Sequence, residues 1–122
     1  MFEIEKLIEG FYLVAGKEGK DDALIKNLGL AAIEEVKSNL STGVDLEDGQ
    51  HNLLMLCVAL MFYQYALIET QNQAESVRVG DVSVSNSNNK QTLLDAAKQL
   101  KQHYLHATRR YMKAKFVEFK MI

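Results

Sequence analysis

The residues able to do chemistry are few, and their spacing gives them little to do. His103 and His106 stand three apart, so on a helix they share a face, as metal-binding pairs do. Asp95 and Glu118 are the nearest acids in sequence, and no His-Glu-x-x-His pattern surrounds the pair, so two surface histidines among lysines and arginines is the reading that fits. His51 opens a long apolar run and reads as a boundary residue. Glu34 and Glu35 are adjacent, and on a helix adjacent side chains diverge by about 100°, too far to act as a paired acid and base. Cys57 sits within the apolar run and reads as an inert core thiol. Gly16 and Gly19 are turn glycines, not a phosphate-binding loop. The expectation is a protein without catalytic residues, cofactor or metal, and not an enzyme.

The element that must organise the chain is Leu53–Ile68. Eleven consecutive apolar residues, Leu53–Tyr63, are followed by Gln64 and four more. A surface helix shows one polar face, whereas a helix apolar all round is surrounded by other elements. Sixteen residues interrupted by Gln64 fall short of the about 20 that a bilayer span needs, so no membrane is expected. The stretch is read as a central helix wrapped by the rest.

The wrapping is legible on both sides. Ile4, Leu7, Ile8, Phe11 and Val14 recur at helical spacing and predict a first helix ending near Gly16. Asp21 or Asp22 caps a second, with the stripe Leu24, Ile25, Leu28, Ala32, Val36 and Leu40, stopping at Ser41-Thr42-Gly43, where Gly43 takes a left-handed conformation. Asp45 or Asp48 caps the central helix. A last helix starts near Gln91, after a polar loop at Asn86–Lys90. Its stripe is Leu93, Leu94, Ala97, Leu100, Tyr104, Ala107, Thr108 and Tyr111. Beyond it Val117, Phe119 and Met121 alternate with Glu118 and Lys120, marking a non-helical tail over 117–122. That tail either inserts into a neighbouring protein or frays.

One segment has another period. Over residues 76–85, valines alternate with polar residues about Gly80-Asp81, a hairpin signal. In that pairing Val77, Val79, Val82 and Val84 share one face. A lone two-stranded ribbon is marginal in water, so its valine face packs on its own helices or its edges pair with another copy by strand addition. The second is preferred, with Val77, Val79, Gly80, Asp81, Val82 and Val84 as the interface. The fold class expected is mainly α: one domain over 1–122, a four-helix bundle around a buried central helix, with a β-hairpin before the last helix.

Charge is divided along the chain. The net charge is −2, but residues 1–89 carry 6 basic and 14 acidic side chains, and residues 90–122 carry 8 basic and 2 acidic. Lys98, Lys101, Arg109, Arg110, Lys113 and Lys115 form the basic set. Such a split marks a DNA- or partner-facing segment, or a basic end neutralised by the chain's own acids. A single cysteine permits no intrachain disulfide, and the acidic N-terminus resembles no secretion signal, so a reducing compartment is expected.

Three stretches resemble a known family: Leu40-Ser-Thr-Gly43, Gln50-His-Asn-Leu-Leu-Met-Leu-Cys-Val-Ala-Leu60 and Glu75-Ser-Val-Arg-Val-Gly-Asp-Val-Ser-Val-Ser85. With the order of elements, they look like the small helical head–tail connector (adaptor, or head-completion) proteins of tailed bacteriophages, over about residues 20–112. The polar stretch at 86–90 and the strongly basic last helix depart from that pattern. The resemblance implies a structural virion protein made in the bacterial cytoplasm. Copies would form a homo-oligomeric ring between portal and tail or stopper proteins, extending a channel through which DNA passes without sequence recognition. The tail residues Val117, Phe119 and Met121 would dock on a neighbour such as the portal. Side-to-side packing would use both signs of charge; alternatively the acidic part lines the channel and repels phosphates. The rival reading is a small helical nucleic-acid-binding or regulatory protein using the basic set, against which stand the negative net charge and the lack of a recognition motif.

Overall fold

A computed structural model describes residues 3–16, 22–43, 45, 47–74 and 82–121, with side chains outside 71–91. Among the described residues five helices follow one another: α1 (Ile4–Ala15), α2 (Asp22–Ser38), α3 (Gln50–Ala74), α4 (Val82–Ala107) and α5 (Ala114–Met121). Short 3-10 turns at Glu47–Gly49 and Arg109–Tyr111 precede α3 and α5. The protein is mainly α, and no strand occurs among the described residues.

The central helix is α3. Leu53, Leu56, Cys57, Val58, Ala59 and Met61 are fully buried, which explains why its sequence shows no polar face. It is wrapped by α1, α2 and α4. By length and composition the same helix would cross a membrane, but 56% of its apolar window is buried inside the protein. From α1, Leu7 and Phe11 are buried, and the Phe11 ring meets Phe62 and Tyr65 edge-on at 6.3 and 5.3 Å. Gly10 and Gly29 let the wrapping helices close in: a Cβ at Gly10 would lie 2.9 Å from a Val58 methyl, and one at Gly29 3.3 Å from the Met61 methyl. Ile25, Ala32 and Val36 bury the inner face of α2, as the stripe predicts. Val14, assigned to the core by spacing, is 37% exposed, while Ala15 beside it packs against the core.

Helix ends follow capping chemistry. The Gly16 N–H donates to Tyr12 O at 2.9 Å as the chain leaves α1 with φ +80°. At the end of α2, Asn39 Nδ2 donates to Glu35 O at 2.7 Å, satisfying a terminal carbonyl. Helix α2 stops three residues before Ser41, and Gly43 does adopt the expected positive φ, +76°. The Asp45 carboxylate accepts from Glu47 N–H at 3.0 Å, so it caps the 3-10 turn leading into α3.

Two expectations are corrected. Val82 and Val84, assigned to the second strand of a hairpin, lie in α4, as do the Asn86–Lys90 positions assigned to a loop. No glycine or proline interrupts 82–107. Once a helix is nucleated, each added residue gains a hydrogen bond for little cost, whereas a two-stranded ribbon has nothing to pack on. Val77, Val79, Gly80 and Asp81 lie outside the described residues. The second correction concerns the tail. Residues 114–121 are helical, because Phe116, Val117, Lys120 and Met121 form a helical stripe that the Val117-Phe119-Met121 alternation masks.

Between α4 and α5 the chain turns back on itself. Thr108 donates its hydroxyl to Tyr104 O at 2.6 Å and is fully buried. Ser41 N–H then donates to Tyr111 O, and Lys113 N–H to Asn39 O, each at 2.8 Å, forming an antiparallel bridge between Leu40 and Met112. The Tyr111 ring lies against Gly49, where a Cβ would come within 2.9 Å or less of three ring atoms.

Candidate functional site

The basic set is where function is expected, and the fold divides it. A single helix from Val82 to Lys115 would be ~50 Å long and would run off the core; the break after Ala107 folds it back instead. Lys98 is exposed on α4, whereas Lys101, three residues on, is buried with 4% of its surface accessible. Arg109 and Arg110 fall on the 3-10 turn. Arg110 donates to the Tyr111 hydroxyl and lies 4.7 Å above that ring. Lys113 is 3.4 Å from Ser38 O, and Lys115 is exposed on α5. The six do not form one stripe.

Lys101 is the unusual member. Its ammonium sits 3.9 Å from the centre of the Tyr63 ring, and it has no carboxylate partner among the described residues. Burial lowers its pKa, and the charges of Lys120 and Lys98 lower it further. Three cations therefore crowd one region where α3, α4 and α5 meet.

Beside them is a cleft of ≈ 190 Å³ between α2, α3 and α5. Leu28, Ala31, Ala32 and Leu60 line it, and Gln64, Glu35 and Lys120 supply its polar groups. Lys120 closes on Glu35 at 2.6 Å. Spacing in the sequence did not single out this cleft, because its walls come from three helices far apart in the chain.

The tail residues separate likewise. Val117 is buried in the core, so it is not available to a partner; Met121 is half-buried, and Phe119 is 71% exposed. Another exposed apolar side chain, Leu13 on α1, is 87% accessible. Leu13 lies outside the Leu7–Phe11 stripe, which is the signal the sequence offered.

The groups considered for chemistry are dispersed. His103 and His106 are both exposed on α4, with the His103 ring edge-on to Tyr104 at 4.8 Å, and His51 is exposed at the start of α3. Among the described residues, no three or more His, Cys, Asp or Glu side chains gather where they could hold a metal ion. Burial pushes the Cys57 thiol up to about 12, far from the range of a reactive thiolate. No family model, curated protein or solved structure matches the chain.

Proposed function

We propose that this protein is a non-catalytic structural subunit that assembles with copies of itself, as a ring-forming connector between the head and tail of a bacteriophage. The observation that carries the reading is charge left unspent within the subunit. Lys120–Glu35 is an ion pair joining the basic end to the acidic part, and Asp48 acts on Arg110, but much of the charge finds no such use. Glu5 and Glu9 on α1, and Lys98, Arg109 and Lys115 near the other end, all face solvent. Repeated subunits that carry both signs on separate surfaces can satisfy each with the other. The likeness of residues 20–112 to connector proteins supplies the biological setting. It rests now on the helical order and the apolar third helix, since the valine segment contributes likeness of sequence without a ribbon beyond Val82.

The test is the mass in solution of the 13.8 kDa chain, alone across a concentration series and mixed with a phage portal, by light scattering and sedimentation. Concentration-dependent growth to a closed species, or its capture on the portal, is expected. A chain that stays monomeric in both settings, yet binds DNA with an affinity falling steeply with salt, would establish the nucleic-acid reading instead.

A further inference from the structure

On α1, Glu5, Glu9 and Leu13 are spaced four apart and all face solvent, forming one outward ridge. Within a lone subunit this ridge is unfavourable: two carboxylates repel one turn apart, and Leu13 leaves 87% of its surface in water. On another side, the cleft between α2, α3 and α5 offers the complement. Its lining includes Leu28, Ala31 and Leu60, with Lys120 paired to Glu35 on its rim and Lys98 and Lys101 nearby, so cations outnumber the one carboxylate there. An apolar cavity of about 150 Å³ takes a guest as large as benzene, so ≈ 190 Å³ admits a leucine side chain.

We infer that the α1 ridge of one copy docks on this cleft of the next, with Leu13 entering between Leu28, Ala31 and Leu60 and the carboxylates of Glu5 and Glu9 lying against Lys98 and Lys120. The inference rests on the reading of the chain as a self-assembling subunit and names the surfaces that meet. The occupant is a second copy because the ridge supplies an apolar plug for the cleft and more negative charge than Glu35 alone sets against Lys98, Lys101 and Lys120. Lys101, which has no carboxylate partner among the described residues, gains negative potential in this contact. The two surfaces differ and lie on different helices, and joined head to tail they leave each subunit one free ridge and one free cleft, so that repetition closes a ring or extends a filament.

The test uses the full chain. Leu13→Asp changes an exposed position, so its thermal unfolding should match wild type while self-association measured by sedimentation weakens about tenfold or more. Glu9→Lys should weaken association too, and adding Lys98→Glu should restore part of the loss. Single variants Leu13→Cys and Ala31→Cys, mixed under mild oxidation, should form a disulfide-linked dimer that neither forms alone, with buried Cys57 remaining silent. Association unchanged by Leu13→Asp and Glu9→Lys, or cross-linking of Leu13→Cys to itself but not to Ala31→Cys, would overturn these surfaces while leaving self-assembly standing. A wild-type chain that never associates would overturn both.

Discussion

Single side chains in this protein show what burial does to chemistry. Cys57 is enclosed, its thiol pushed up to about 12, so a thiol reagent at pH 8 should label it only as fast as the protein unfolds; rapid labelling of the native chain would contradict that burial. Lys101 shows the opposite cost. Its folded pKa is lowered, so between that value and the ordinary lysine value the unfolded chain binds more protons, and stability rises with pH. Below that window the charge is a standing penalty. Lys101→Met keeps the packing on Tyr63 and removes the charge. It should raise the stability of the isolated subunit at neutral pH by about 1 kcal/mol, a few degrees in Tm, with the advantage shrinking as alkaline pH neutralises wild type. Comparing the two proteins also cancels Tyr65, whose pKa burial and the Glu69 carboxylate raise to about 12. Neither residue's environment was equally readable in advance: an apolar run marks Cys57 as core, but nothing in a lysine-rich helix distinguishes Lys101 from Lys98.

Helices were legible where composition leaves one solution. An unbroken apolar run demands enclosure, and α3 is enclosed; Leu60→Asp should therefore prevent folding, costing about 4 kcal/mol or more for an unpaired buried charge, visible as loss of the cooperative thermal transition. Amphipathic stripes likewise placed the inner faces of α1 and α2. Short patterns failed where two periods coincide. Val82-Ser83-Val84-Ser85 satisfies a strand's alternation, but four residues cannot oppose the cooperative extension of the helix that follows. In Phe116–Met121 the alternating residues Val117, Phe119 and Met121 drew attention from Phe116, the buried side chain that orients α5. The candidate cleft was invisible for a different reason: Leu28, Leu60 and Lys120 are brought together by packing, and a period along one helix carries no information about its neighbours.

At the scale of the whole molecule, separation of charge outlasts folding: Glu5 and Glu9 on α1 and Lys98, Arg109 and Lys115 near the other end all face solvent. The fold itself is fastened by distant segments. Gly49 admits the Tyr111 ring so closely that Gly49→Ala should displace it and cost about 1–3 kcal/mol, measured by urea unfolding. The Leu40–Met112 bridge works beside it, a clasp between the segment after α2 and the one before α5. That clasp has a consequence for biogenesis. Residues 39–41 must wait, their partners unmade, until Tyr111, Met112 and Lys113 have emerged from the ribosome, since chains otherwise fold from the N-terminus as they are synthesised. The end of α2 is thus latched only after α3 and α4 have been synthesised, and a chain interrupted before Met112 lacks the closure that joins it to the turn before α5.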